Sequence, residues 1–555
     1  MKRIFIISNP ATGQLNPVLP VVEELVARGN QVVLLSATSA FGKIQKMQAR
    51  LDIVPQAEPT PSEKTLANLP LVFYCLGDGK SLADYTSEAF KDPERFHRVG
   101  RSKPGEIWGW LQAFTELVPP SSEDYNALVF RIRDLIGEHN PDMIITDNFS
   151  PFAVDGVRLS KRRFIATSPG AASAVASNIS IWKTPMPMSG ARTNASGLFT
   201  IMANLYFAVL WLKFALFHAW PKERRRFRHE VLGLEPLDII CDSVMTPTPG
   251  MLPAQVATIS FNVANMDFYP PSAYDKSVYF VGPSYSRKTD TQSITVRKNS
   301  MCTNTPVSAK CSPFLSPSSV ASTPTVADLS LEKEMLQLHS LTDSADPIKA
   351  WLDKAYCDNK RVLYINMGSI FYYTRKDHDN IVEAMKLLHD RFPSVLVLWK
   401  IPNLPYDSQP LPSTDEAQLP LYIRREEWLQ SVETVLEHPA LAVCMHHGGG
   451  NSYNEAVYFG VPQFCVSQWV DTHDIASYIQ HSGVGLWADK SPMFDPEDMC
   501  EKLVRLLEDK DDVFRNATLS WRLRAMQAGG ASAAANIVEA YMDMYSERRN
   551  EPVAL

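Results

Sequence analysis

No CxxC pair occurs in this chain, and its eight cysteines are scattered. That excludes the common structural zinc patterns and fits a reducing compartment, so a cytoplasmic protein is expected. A basic surplus is also missing. The 54 lysines and arginines stand against 61 acids and leave a net charge of −7, which speaks against nucleic acid as a partner. No GxGxxG with a ribose-binding acid downstream is present, which removes the signature of a nicotinamide-dependent oxidoreductase. The first apolar run, Ile4–Ile7, is too short for a secretory signal, and the closing ERRNEPVAL carries no apolar anchor. No short-period repeat appears. With 45% hydrophobic and 21% charged residues, the composition is that of an ordinary soluble globular protein.

What the chain does have is alternation. Ile4–Ile7 reads as a buried strand, followed by a loop holding Gly13 and a helix ending near Arg28–Gly29. A second apolar run, Val32–Leu35, completes a strand–helix–strand unit. PDMIITDNFSPF (141–152) reads as a strand ending at Asp147, RRFIATSPGAAS repeats the theme, and VYFVGPSY (278–285) is a short strand closed by Gly-Pro. Further on, RVLYINMGS (361–369), SVLVLWK and ALAVCMHH read as strands between the helices HDNIVEAMKLLHDRF and SYNEAVYFG. Strands alternating with helices of ordinary length predict α/β architecture with doubly wound parallel sheets. Between these halves the chain turns rich in Ser, Thr and Pro and cannot bury enough surface to offset its ordering entropy. The predicted division is an N-terminal domain over 1–283, a disordered linker over 284–345, a C-terminal domain over 346–540 and a tail over 541–555.

One segment is unusually apolar: GLFTIMANLYFAVLWLKFALFHAW (197–220), followed by PKERRRFRHE. A membrane-spanning helix needs ~20 apolar residues. This run nearly reaches that, interrupted by Asn204, Lys213 and His218. Three readings stay open: a buried helix or pocket wall, a peripheral membrane contact through 197–229, and a true span.

The densest chemistry lies in HPALAVCMHHGGGNSYNEAVYFGVPQFCVSQWVDTHD (438–474). A strand runs into His446–His447, three glycines follow, and Asn451–Ser452 open a helix. Glycines let backbone approach a ligand, and a helix start with free amides is an anion site. Asn451 or Ser452 can cap that helix or bind a phosphate oxygen, and His447 can donate its N–H proton to a diphosphate. Glu455, one turn in, can reach a sugar hydroxyl. Adjacent residues on a strand point to opposite faces, so His446 is expected to be structural. No ligand spacing supports a metal at His446, His447 and His473.

This run resembles the donor signature of the UDP-dependent glycosyltransferases with the two-domain GT-B fold, roughly W-x-P-Q, H-P, H-x-G-x-N-S-x-x-E-x-x-x-x-G-V-P and D/E-Q. Trp428, His438, Pro439, His447, Gly449, Asn451, Ser452, Glu455, Gly460, Val461, Pro462 and Asp471 match it. TDNF (146–149), VGP (281–283), WLD, NMGS and GGASAAANI extend the likeness over both halves. The DTHD in place of D/E-Q is most similar to the fungal branch, whose members often glycosylate lipophilic secondary metabolites. The resemblance implies two Rossmann-like domains facing a cleft. It also implies Trp428 stacking on uracil, the Leu429 backbone pairing with its edge, and Glu455 on the ribose. His447, Gly449, Asn451, Ser452 and Ser369 would hold the diphosphate, and Asp471 the sugar, with no metal and no cofactor beyond the UDP-sugar. Two departures stand out: Thr472, counted with the donor-binding residues, occupies the usual glutamine position, and WLQSVETVLEH is one residue longer than usual and lacks the proline.

A third departure concerns the first loop. In the family it reads G-H-x-x-P, and the histidine takes the acceptor's proton while an aspartate holds that histidine. Here the residues are Gly13-Gln14-Leu15-Asn16-Pro17, and the matching aspartate is Asp147. A glutamine can orient a hydroxyl but cannot be a general base. Asp147 then serves as base, or the acceptor is itself acidic, or transfer is poor; His97 is a remote second candidate without motif support. Asp147 also has the plainer reading of a strand-end turn cap. The expected function is an inverting hexosyltransferase that moves a sugar, glucose first, from a UDP-sugar to a hydroxyl or carboxyl of a small lipophilic acceptor such as a terpenoid or polyketide. The alternatives are a non-catalytic nucleotide-sugar-binding partner subunit and a sterol- or lipid-directed transferase.

Overall fold

A computed structural model of the chain describes residues 1–77, 123–187, 197–237, 239–243, 248–286, 346–368, 373, 375–401, 419–467, 470–489 and 493–547. Two all-parallel sheets organise them. The first contains β1 (Arg3–Ile7), β2 (Gln31–Ser36), β3 (Leu71–Cys75), β4 (Met143–Asp147), β5 (Phe164–Ser168), β6 (Gln255–Ser260) and β7 (Val278–Phe280), in the order β3-β2-β1-β4-β5-β6-β7. The second contains β8 (Arg361–Asn366), β9 (Val395–Lys400), β10 (Ile423–Glu426), β11 (Leu441–His446), β12 (Gln463–Ser467) and β13 (Gly485–Asp489), in the order β10-β9-β8-β11-β12-β13. Ile4 to Ile7 and Val362 to Ile365 are all buried. Helices cover both faces of a parallel sheet, so its strands read as continuous apolar runs.

Each sheet reverses its winding once, between β1 and β4 and between β8 and β11, and ligands of such sheets bind in the crevice beyond those strand ends. The register there sets Ile7 beside Thr146 and Asn366 beside His446. Asp147, at the end of β4, and His447, just past β11, therefore stand at the two switch points.

The halves meet through an apolar layer in which Val263, Met266 and Tyr269 pack with Tyr453, Ile475 and Tyr478. Ser173 Oγ donates to Asp474 Oδ2 across it at 2.8 Å. The predicted boundaries at 540 and 541 are corrected by the last helix, Gly530–Met544. Its small residues Ala531, Ala534 and Ala535 let it press against the helix Thr12–Ala27, and it belongs to the N-terminal core with Ile4 and Leu25. Arg28 ties it down through Glu539 at 2.8 Å and Asn536 at 2.6 Å. Most of the predicted linker, 287–345, lies outside the described residues.

Behind the first sheet sits a fully buried charge cluster. Asp155 accepts from Tyr125 at 2.7 Å and Arg228 at 3.0 Å, with Arg158 and Arg224 within 3.9 Å. The three guanidinium charges hold the Asp155 carboxyl below its ordinary range, against the upward push of burial.

Candidate active site

The C-terminal switch point is built on the helix Gly450–Phe459. Its N-cap is Gly449, and no side chain caps it, so of the two roles weighed for Asn451 and Ser452, capping is not taken up. The first-turn amides are therefore open to an anion, with the positive end of the helix dipole behind them. Gly448 makes the turn at φ +90, and a Cβ there would come within 2.7 Å of the Thr472 carbonyl oxygen. The His447 ring is clamped between Gly368 and Gly449, since a Cβ on either glycine would lie 2.6 Å from its Cε1. Burial, with His446 alongside, pushes the His447 imidazole down to about 3, so at neutral pH it offers one N–H and no charge. His446 points the other way. Its Nδ1 accepts from Gly448 N at 3.0 Å, so Nε2–H donates to Gln463 Oε1 at 2.9 Å. That is the structural role expected for it.

Trp428 lies between β10 and the helix Val432–Leu436 and is 70% exposed, whereas the Leu429 side chain sits in the core. Over the Trp428 ring, 4.6 Å from its centroid, stands the Lys400 ammonium. Lys400 ends β9, is only 9% exposed, and is pushed down by burial with Glu455 opposing. Glu455, half-buried, is raised to about 7 by burial and by the charge of Glu433. Sequence reasoning missed Lys400 and Glu433. The signal was available: SVLVLWK is an apolar strand that ends in a charge, at the edge where parallel sheets bind ligands.

Asp471 is half-buried at the start of the helix Val470–His481. Thr472 is fully buried beneath Gly448. This corrects its place among the donor-binding residues, because its side chain supports the glycine turn from below. His473 bonds Ser467 Oγ at 2.7 Å. Ser369 and His97 lie outside the described residues.

At the N-terminal switch point, Gln14 is not in a loop. The helix begins at Thr12, so Gln14 stands half-buried in its first turn. Asp147 is 1% exposed, and its Oδ1 accepts from Phe149 N at 2.9 Å and its Oδ2 from Ser150 Oγ at 2.8 Å. Burial raises it to about 6, with those donors and the Asn9 amide pulling the other way. No hydrogen bond joins it to Gln14. The turn-cap reading of Asp147 is thus realised in the structure.

The two switch points face each other. Asn451 Nδ2 donates to the Thr12 carbonyl at 3.3 Å, and a Cβ on Gly450 would come within 2.7 Å of the Pro169 carbonyl oxygen. Beside them a cavity of about 310 Å³ is lined by Asn16 and Pro17 from one half and Glu433, Asn451, Asn454 and Glu455 from the other. The arrangement is suited to holding a diphosphate and its nucleoside against a second substrate.

Comparison with known proteins points to glycosyltransferases. Residues 407–540 match the family model described as Erythromycin biosynthesis protein CIII-like, C-terminal domain. Over nearly the whole chain the protein is similar to Erythritol-mannosyl-transferase 1 of Pseudozyma antarctica (strain T-34), 26% identical over 99% of this chain and 92% of the relative. The enzyme of the same name in Mycosarcoma maydis is 25% identical over 100% and 93%. Among solved structures, the glycotransferase of kitacinnamycin superposes with a TM-score of 0.55 at 16% identity, covering 97% of this chain and 98% of that one. The calicheamicin glycosyltransferase CalG4 does so with 0.54 at 15%, covering 98% and 99%. These structures establish the GT-B fold.

Proposed function

We propose, for a chain that belongs to the UDP-glycosyltransferase family, the transfer of a hexose from a nucleoside diphosphate sugar to a hydroxyl of a small acceptor, with inversion at the anomeric carbon. The observation that carries this reading is the uncapped start of the Gly450 helix, with His447 clamped beside it, facing the first turn of the Thr12 helix. The bond from the anomeric carbon to the diphosphate oxygen breaks as the bond to the acceptor oxygen forms. The open amides and the His447 N–H take up the charge that develops on the diphosphate, the form of stabilisation that usually contributes most to catalysis. Trp428 stacks on the base with Lys400 on its other face, Glu455 accepts from the ribose, and Asp471 from the sugar. Gln14 orients the acceptor hydroxyl. Asp147, ionised above about pH 6 and already holding the turn after β4, receives the proton through a bridging water.

UDP-glucose is the donor expected from the sequence. The two full-length relatives are named for mannosyl transfer to erythritol, which moves mannose ahead of glucose and adds short polyols to the lipophilic alcohols, phenols and carboxylic acids worth offering as acceptors. The test is release of nucleoside diphosphate by purified protein from glucose and mannose donors across that acceptor panel. Release with any pair supports the proposal. Donor binding without release for every pair favours a nucleotide-sugar-binding partner subunit.

A further inference from the structure

The helix Gly197–Phe217 is apolar on every side, yet only a third of its most apolar window is buried. Its inner stripe, Thr200, Asn204, Phe207, Trp211, Phe214 and Ala215, faces the protein. Its outer stripe runs at helical spacing through Leu198, Met202, Leu205, Tyr206, Val209 and Leu212, all exposed, with Leu198 at 72%, Met202 at 59% and Val209 at 62%. An apolar band some ~20 Å long, at ~1.5 Å per residue, is larger than a soluble monomer ordinarily leaves in water.

We infer that this outer stripe docks on the surface of an anionic lipid bilayer, with the helix lying in the plane of the interface. Three observations select that occupant. First, amphipathic aromatics, which favour the headgroup level, accompany it: Tyr206 within the stripe, and the 61% exposed Trp182 in the segment that Asn204 holds against the helix through the Ile181 and Thr184 carbonyls. Second, exposed basic groups flank the helix along the chain (Lys183 before it, Lys213 within it, Lys222 and Arg226 just after it) against Glu223 and Glu230, the latter paired with Arg226 at 2.8 Å, in a chain whose net charge is −7. A second copy docking face to face would bring two basic flanks together, whereas anionic headgroups complement one. Third, spanning is opposed by Asn204. It is fully buried, donates to the carbonyls of Ile181 and Thr184 at 2.7 Å each, and accepts from Met186 N at 2.9 Å. Leaving the protein would strand that amide in hydrocarbon. Of the three readings open from sequence, the buried helix or pocket wall describes the inner stripe alone, and the interfacial one, argued here, describes the outer.

The test is flotation of the full chain with vesicles of phosphatidylcholine, with and without phosphatidylglycerol, beside sedimentation velocity in their absence. The protein should float with the anionic vesicles and release from them as salt rises. Met202→Gln/Val209→Gln/Leu212→Gln, all at exposed positions, should lower recovery by about tenfold or more, since interfacial binding scales with buried apolar area. Lys183→Glu/Lys222→Glu should weaken binding to anionic vesicles alone. Flotation that is absent, or unchanged in the triple variant, overturns the inference. So does a concentration-dependent dimer that the triple variant dissolves, which would assign the stripe to a second copy. Diphosphate release measured on the same preparation without vesicles separates this outcome from failure of the transferase reading.

Discussion

Gly449→Ala isolates what the His447 clamp contributes. The residue sits at φ −69 and ψ 141, which alanine adopts without strain, so the backbone is not what suffers. The N-cap change from glycine to alanine costs under about 1 kcal/mol. The steric effect falls on the imidazole, because the new Cβ would stand 2.6 Å from Cε1 and 2.7 Å from Nε2 of His447. Gly368 stands against the same ring, a Cβ on it likewise falling 2.6 Å from Cε1, so little room is left on that side. The ring must rotate out of line with the diphosphate. A hydrogen bond to a charged group is worth about 1.5–3 kcal/mol, so donor affinity should fall about 10- to 100-fold while thermal stability falls only slightly. Isothermal titration with nucleoside diphosphate and a thermal melt read the two effects. His447→Ala should cost a similar factor, and the double variant little more than either, because both remove one interaction. Gly13→Ala is the control: nothing lies within 4 Å of its added Cβ, so donor affinity should hold. Losses that add in the double variant, or an unaffected Gly449→Ala, would refute the clamp as the reason for these glycines.

Three further outcomes are expected. Glu455→Gln should weaken donor binding yet stabilise the fold at pH 8. The raised carboxyl keeps its stabilising contribution below its unfolded value near 4.5 and loses it as pH rises through about 7, so removing the charge should return about 1–2 kcal/mol after allowance for partial exposure, read by denaturant melts at pH 5 and 8. Asp147→Asn should lower turnover by ~10²–10⁴-fold with donor affinity intact and abolish the fall in rate as pH drops through about 6; a variant that keeps its rate would remove Asp147 as base. Asp155→Asn should cost about 3–5 kcal/mol, because it leaves three buried guanidinium groups without their carboxylate, and a melt within a degree of wild type would contradict that reading of the cluster.

Much of this protein is local and so legible in one dimension. Buried parallel strands are continuous apolar runs, and a glycine triplet between a strand and a helix announces an anion site; the alternation, the glycine turn ahead of the Gly450 helix and the His446/His447 split followed from that, while Asp147 and Trp428 were singled out by the family resemblance. Where Gln14 sits was not legible, because Gly13 reads as loop chemistry while the helix starts at Thr12. Nor was the return of the Gly530 helix to the N-terminal core, which depends on alanines meeting a surface more than 500 residues upstream, as Arg28 and Glu539 show with a separation of 511. The burial of Thr472 and the place of Lys400 over Trp428 were not legible for the same reason. Sequence places a side chain on an element, but burial beneath Gly448 or above Trp428 is set by how elements stack. The apolar run at 197 is the clearest case. Composition made it apolar on every side, and only packing against the N-terminal domain decided which stripe is covered and which meets the surroundings.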